Sequence, residues 1–118
     1  MATEFAHLHL HTEYSLLDGL GRIPEYINRA HEVGIQHVAV TDHGVMYASL
    51  EWYRQATKAG LHPIVGIEAY LAEGKASVRD RKSYHLLLLA ENGCLIVALS
   101  AALGVNVCQL ALMRARRR

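Results

Sequence analysis

The sequence contains few of the residues that define several common protein classes. Among its 118 residues there are two cysteines, two prolines, one phenylalanine and one tryptophan. Cys94 and Cys108 have neither the spacing of a zinc knuckle nor that of a disulfide framework, which predicts a reducing, cytoplasmic setting. The first residues, Met1 to His7, lack the basic end and the apolar run of a secretory signal. Export is therefore not expected.

Several catalytic motifs are also missing. The chain has no glycine-rich phosphate loop, no Gly-x-Ser-x-Gly motif, and nothing around Cys94 that would activate a thiol. The first 91 residues contain eleven Asp/Glu and eight Lys/Arg, a net charge of −3. They carry no basic stripe of the kind that binds nucleic acid. A phosphate ester bound here would therefore need a metal ion to supply positive charge.

The last part of the chain differs in composition from the rest. Residues 94–113 include no charged residue, and the sequence ends with Arg-Ala-Arg-Arg-Arg. Such a run has the length of a membrane-spanning helix, but Gly104, Asn106 and Gln109 weaken that interpretation, and membrane attachment is not expected. We predict a folded domain over residues 1–92 and a divergent apolar tail over 93–118. Loss of the reading frame or truncation near Asn92 is the leading hypothesis for this change.

Hydrophobic periodicity predicts alternating strands and helices. Pro24 suits the first turn of a helix, Gly34 suits its left-handed end, and Gly60 ends a second helix. The order of the elements predicts an α/β fold with parallel strands and outer helices. The predicted strands cover residues 5–11, 38–41, 64–67 and 84–90, and the predicted helices cover 23–33 and about 46–59, with a polar connection over 73–83.

Histidine is abundant, with eight residues, and it is the commonest metal ligand among the side chains. His9 and His11 would lie on one face of the first predicted strand, about 7 Å apart at their Cα atoms. Two imidazoles at that separation can bind one metal ion or two adjacent ions. His7 shares this face and is a weaker candidate, either as a ligand or as a neighbour of one.

Three further histidines lie away from the carboxyl ends of the predicted strands. His31 lies on the first predicted helix, whereas His37 and His62 lie at the starts of strands. In a parallel sheet those starts are opposite the edge where functional residues collect. We expect surface or packing roles for these three residues.

Acidic and imidazole side chains follow the second and third predicted strands. Asp42 and His43 end one strand and Glu68 ends the next, so all three would reach the same edge of a parallel sheet. An acid in an apolar strand is costly unless it is paired or bound to metal. Asp42 could bind metal directly, cap a helix or orient a ligating histidine. His85 fits this rule less well, because it lies near the start of its strand.

Four blocks of sequence resemble the polymerase branch of the PHP (polymerase and histidinol phosphatase) family, as found at the start of bacterial DNA polymerase III alpha subunits. The blocks occur in the family's order and at about its spacing. Tyr-Ser-Leu-Leu-Asp-Gly and Gly-Ile-Glu-Ala-Tyr set this branch apart from the free-standing phosphatases. The four blocks are residues 7–19, 41–44, 63–70 and 84–86.

The resemblance implies a partial (β/α)₇ barrel with a cluster of up to three divalent metal ions, Zn, Mn or Fe, at its strand-end rim. It also implies multi-metal phosphoester hydrolysis, which in some family members is a 3′→5′ exonuclease and in others gives way to a structural role. DNA and other replicase subunits would be the partners. The implied ligands are His9, His11, Asp18, His43, Glu68 and His85, with Asp42 beside them; Asp18 is proposed from the resemblance alone.

The sequence departs from the family after Asn92. Neither the later Asp-x-His ligands nor the polymerase palm has a counterpart, so we expect a chain that cannot copy DNA and has little hydrolytic activity alone. An incomplete barrel would also leave an open sheet edge, which predicts poor solubility or oligomerisation. The alternatives are a free-standing PHP phosphatase of small phosphate esters and a non-catalytic, membrane-tethered or interaction module.

Overall fold

The structure is a computed structural model of the chain and describes residues 5–16, 18–71 and 84–92. A four-stranded sheet in the order β1-β2-β3-β4 carries two helices that connect its first three strands. This arrangement confirms the predicted α/β class. The elements are β1 (Ala6–His7), α1 (Ile23–Val33), β2 (His37–Val40), α2 (Ser49–Lys58), β3 (His62–Leu71) and β4 (Tyr84–Leu89).

The direction of the last strand differs from the sequence prediction. Strands β1, β2 and β3 are parallel, whereas β4 pairs with β3 in the antiparallel direction, with Tyr70 opposite His85 and Gly66 opposite Leu89. A parallel pair needs a crossover connection, usually a helix. The connection between β3 and β4 shows no helical pattern in the sequence, and this was the signal for an antiparallel pair.

The first strand is shorter than predicted, because β1 ends at His7 rather than at His11. Beyond it, the Leu10 N–H donates to Thr41 Oγ1 at 3.1 Å and the Leu10 carbonyl accepts from the Thr41 N–H at 2.8 Å. A threonine hydroxyl thus replaces the backbone acceptor that a regular ladder would supply. His9 and His11 consequently lie on an irregular segment.

Helix α1 has the bounds that the periodicity predicts. Pro24 lies in its first turn, the Arg22 N–H donates to Glu25 Oε2 at 3.1 Å, and Gly34 ends the helix with a φ of 74°. Helix α2 begins at Ser49, three residues after its predicted start, and Gly60 follows it with a φ of 82°. Both helices therefore stop where a left-handed residue is available.

The hydrophobic core lies between the helices and the sheet. Trp52 of α2 and Ile23 of α1 are fully buried at its centre. Burying a large apolar side chain stabilises the folded state by about 1.5–3 kcal/mol, and Trp52 is the only tryptophan in the chain. The cluster consists of Ile23, Ile27, Ala30, Val38, Val40, Met46, Ala48, Trp52, Ala56, Leu61, Val65 and Ile67.

Helices α1 and α2 are too short or too polar to cross a membrane, and the described ranges contain no other helix that could. The uncharged run at residues 94–113, along with the rest of the tail predicted over 93–118, lies outside those ranges.

Candidate metal centre

Glu68 is the point at which three segments of the chain meet. Its Oε2 atom lies 2.6 Å from His9 Nε2 and 2.7 Å from His11 Nε2, both in the segment after β1. Its Oε1 atom lies 2.6 Å from Nδ1 of His85 on β4. His43, after β2, places Nδ1 3.7 Å from Glu68 Oε2. One carboxylate therefore faces four imidazoles.

Asp18 extends this cluster on one side. Its Oδ2 atom lies 2.6 Å from His43 Nε2 and 3.1 Å from His11 Nδ1. His11 and His43 thus lie between the two carboxylates. The described residues form three overlapping groups whose ligand atoms all lie within 4.8 Å of one another: His9, His11 and Glu68; His11, Asp18 and His43; His43, Glu68 and His85.

The donor atoms of these groups fit divalent cations. His43 Nδ1 is buried and has no hydrogen-bond partner, which is costly for a polar atom unless something else binds it. His9 Nε2 and His11 Nε2 lie 3.1 Å apart and face the same carboxylate oxygen. Imidazole nitrogens and carboxylate oxygens are the ligands preferred by Zn²⁺, Mn²⁺ and Fe²⁺. The cluster could therefore bind metal.

The antiparallel direction of β4 explains the position of His85. Because β4 runs opposite to β3, its first residues lie beside the last residues of β3, and His85 is paired with Tyr70. A histidine at the start of this strand consequently reaches the same rim as the ends of β2 and β3. His85, which did not fit the rule for parallel strands, is brought into the cluster.

Glu68 is held as a carboxylate. The residue is 5% exposed, and burial by itself would raise its pKa, but hydrogen bonds from His9, His11 and His85 together outweigh burial and lower the pKa to about 2. The side chain is therefore ionised at neutral pH. An ionised carboxylate is the form that binds a metal ion.

Asp42 makes contacts of a different kind. Its Oδ1 atom accepts the Thr12 N–H at 2.6 Å, and the Thr12 hydroxyl donates to Oδ2 at 2.9 Å. Burial raises the pKa of Asp42 in spite of these hydrogen bonds. The residue belongs to none of the three groups. These contacts hold the turn between His11 and Asp18, a role that was not among those predicted for Asp42. Direct ligation by Asp42 stays a prediction.

That turn is closed by further polar contacts. The His43 N–H donates to the Ser15 hydroxyl at 2.8 Å, and the Gly19 N–H donates to the Ser15 carbonyl at 2.8 Å. A Cβ atom on Gly19 would lie 1.7 Å from the Thr12 carbonyl oxygen, so no side chain fits there. The turn therefore brings Asp18 back to the rim, a return that hydrophobic periodicity does not indicate.

The remaining histidine candidates lie elsewhere. His7 contacts the ring of Phe5 at a centroid distance of 6.3 Å and belongs to none of the three groups. His37 and His62 stack on each other at 4.7 Å, at the starts of β2 and β3. His31 is exposed on α1. These positions agree with the surface and packing roles expected for His31, His37 and His62.

Tyr70 is a neighbour of the cluster that was not among the predicted site residues. Its ring lies nearly parallel to that of His43, at 5.9 Å and 12°, and edge-on to that of His85, at 5.3 Å and 81°. The available signal was its spacing: Tyr70 follows Glu68 by two residues on β3, so the two side chains share a face of the sheet.

Together, the fold and the cluster define an α/β domain whose strand-end rim could bind metal ions. Residues 7–101 match the PHP domain model, and the chain belongs to the PHP domain family. Its curated relatives include DNA polymerase III alpha subunits from Borreliella burgdorferi (43% identical over 95 residues, 76% of this chain and 8% of the relative) and Mycobacterium tuberculosis (49% over 107 residues, 76% and 9%). The subunit from Helicobacter pylori is 44% identical over 90 residues, 75% of this chain and 7% of the relative.

Two solved structures share the fold. A protein from Bifidobacterium adolescentis described as a metal-dependent phosphoesterase aligns with a TM-score of 0.55 and 24% identity, over 72% of this chain and 27% of that one. An amidohydrolase from Chromobacterium violaceum, solved with sulfate and without metal, aligns with a TM-score of 0.57 and 25% identity, over 80% and 32%. These likenesses confirm the predicted PHP-type fold. The chain spans less than a third of either structure and less than a tenth of the curated relatives named above.

Proposed function

We propose that this chain carries part of the metal-dependent phosphoesterase site of a replicative DNA polymerase. The observation that carries the proposal is the convergence of His9, His11 and His85 on the buried, ionised Glu68 at 2.6–2.7 Å. Homology to DNA polymerase III alpha subunits supports the replicative setting. A cytoplasmic location, DNA as the substrate and other replicase subunits as partners follow from that setting.

The six predicted ligands would divide into the three groups described above. Glu68 would contribute to two of them, since one oxygen faces His9 and His11 and the other faces His85. Asp18 would contribute to the third, with His11 and His43. The mixture of imidazole and carboxylate donors suits Zn²⁺, Mn²⁺ or Fe²⁺. A family site of up to three ions would use further ligands beyond those described.

Divalent cations in such a centre activate water and stabilise the negative charge that develops on phosphoryl oxygens. The protein's own part is to bring the ligands together at one rim. Thr12 and Asp42 hold the turn that carries Asp18, and Glu68 is already ionised. In the intact domain this arrangement supports 3′→5′ exonuclease activity. We propose that the phosphoesterase portion ends near Asn92 and that residues 93–118 add nothing to it.

Metal analysis of the purified chain tests this proposal. We expect Zn, Mn or Fe to copurify or to bind on titration, and to be lost from His9→Ala/His11→Ala. The matched control is His37→Ala/His62→Ala, which removes the stacked pair at the other end of the sheet and should retain the metal.

Metal-free protein in all three forms would overturn the proposal. If metal binds, the loaded chain is assayed with a 5′-labelled single-stranded oligonucleotide and with a small phosphomonoester. Preference for the oligonucleotide is expected, and turnover of the monoester alone would favour a small-molecule phosphatase instead.

A further inference from the structure

Tyr70 contacts the candidate metal centre and is also exposed to solvent. Its side chain contacts two of the predicted ligands, His43 and His85, and yet the residue is 55% exposed. An aromatic side chain that served only to fill the core would be buried. The ring therefore has a surface available at the rim of the metal centre.

The position of the ring is fixed by the residues around it. His43 lies against it in a nearly parallel orientation and His85 in a perpendicular one, both favourable geometries for aromatic rings. The third neighbour is Gly44, where a Cβ atom would come within 2.9 Å of the Tyr70 ring. Only a residue without a side chain lets the ring lie this close to the backbone.

We propose that Tyr70 is a specificity-determining residue that stacks on the nucleobase of an ester bound at the metal centre. The inference rests on the proposed phosphoesterase function, for which DNA is the proposed substrate, and adds the residue that would recognise the base. Stacking of a base on an aromatic side chain tolerates every base, because every base has a π-face. The described part of the chain has no basic stripe, so a flat ring beside the centre supplies recognition that charge does not.

Tyr84 offers a matched control on the neighbouring strand. It is 52% exposed, close to the value for Tyr70, and it pairs with Leu71. Because successive residues of a strand alternate between faces, Tyr84 points away from the face that carries Glu68 and Tyr70. It has the same chemistry and exposure without contact to the centre.

The test measures binding of two probes to the Mn²⁺-loaded chain by isothermal titration calorimetry. The probes are 2′-deoxyadenosine 5′-monophosphate and 2-deoxyribose 5-phosphate, which share the sugar phosphate and differ in the base. We expect the nucleotide to bind about tenfold more tightly, within the range of stacking energies measured by alanine substitution. Tyr70→Ala should make the affinities of the two probes equal, whereas Tyr70→Phe and Tyr84→Ala should keep the tenfold difference.

Two results would overturn the inference in distinguishable ways. Equal affinities in the unmodified chain, or a ratio that survives Tyr70→Ala, would show that the ring does not recognise a base, while leaving the phosphoesterase proposal intact. Failure of both probes to bind a chain that has taken up Mn²⁺ would show that the centre does not accept phosphate esters. Both proposals would then fall together.

Discussion

The two ends of the sheet both bring histidines together, but they do so differently. At the starts of β2 and β3, His37 and His62 stack with their rings nearly parallel, at 4.7 Å and 18°. At the opposite rim, the rings of His11 and His43 are even closer, at 4.1 Å, and they lie beside Glu68 and Asp18. Proximity of imidazoles is common to both ends. Among the described residues, groups of histidines and carboxylates that could bind metal lie only at the rim that carries Glu68.

This difference shows what separates a ligand cluster from a packing pair. The stacking of His37 and His62 is a favourable contact between aromatic rings. A buried carboxylate is costly in an apolar sheet unless it is bound, and Glu68 is held there by three histidines. The carboxylate, rather than the number of histidines, distinguishes the rim that carries the candidate site.

Replacement of Glu68 should have the largest effect on metal binding and separate the two ends of the sheet most clearly. Glu68→Gln keeps the shape of the side chain but removes its charge from two of the three groups, and we expect metal affinity to fall by at least ~100-fold, equivalent to about 3 kcal/mol. Metal titration by calorimetry measures the change. His62→Gln is the control at the other end and should leave the affinity unchanged. Equal loss in both variants would show that the ends are not distinct.

Parts of this arrangement could be predicted from the sequence because they depend on local chemistry. Helix α1 has its predicted bounds, since Pro24 and Gly34 mark its ends within the chain itself. The placement of His43 and Glu68 on one rim follows from the parallel pairing of β2 and β3. The helix bounds lie within a few residues of the chain, and the shared rim follows from the βαβ order of the elements.

The remainder depends on contacts between distant segments. The end of β1 is set by the side chain of Thr41, and the position of His85 is set by the direction of β4. Asp18 lies on a turn held by Asp42, so only family resemblance identified it in advance. Tyr70 was missed because its partners come from two other segments. Periodicity carries no information about such pairs.

The pH dependence of stability should be the second largest effect. The pKa of Glu68 in the folded chain, about 2, lies below its ordinary value of 4.5. Its contribution to stability is therefore complete above pH 4.5 and is lost as the pH falls through this window towards 2. The difference corresponds to roughly 3 kcal/mol. Urea unfolding of the metal-free chain, followed by fluorescence of the buried Trp52, measures it.

The control for this pH effect is again Glu68→Gln. Its stability should vary less between pH 4.5 and 2 than that of the unmodified chain, since the variant has no carboxylate to protonate at this position. His37→Ala/His62→Ala should keep the full dependence. If Glu68→Gln retains the same slope, other acidic groups cause it and the hydrogen bonds to Glu68 are not its source.

Replacement of Asp42 tests whether this carboxylate beside the candidate site binds metal or positions the chain. Asp42→Ala leaves the buried Thr12 N–H and hydroxyl without their acceptor, which should cost about 2 kcal/mol of unfolding free energy. Asp42→Asn keeps one oxygen and should cost about half as much. If Asp42 positions the turn, both variants should have a lower free energy of unfolding in the absence of metal. A ligand role would instead give a large loss of metal affinity in Asp42→Asn with little change in metal-free stability.

The smallest expected effect is the difference in stability cost between alanine substitutions at two glycines. Gly34 and Gly44 both have positive φ, 74° and 63°, but space is open around Gly34, whereas a Cβ on Gly44 would meet the Tyr70 ring at 2.9 Å. Gly34→Ala should cost about 1 kcal/mol from backbone conformation alone. Gly44→Ala should cost about 1 kcal/mol more because the ring must move. That excess should disappear in a Tyr70→Ala background, which a double-mutant cycle of urea unfolding would measure. An excess that persists without the Tyr70 ring would mean that Gly44 is required by the backbone after β2, and that the ring is less firmly held against the rim than its contacts indicate.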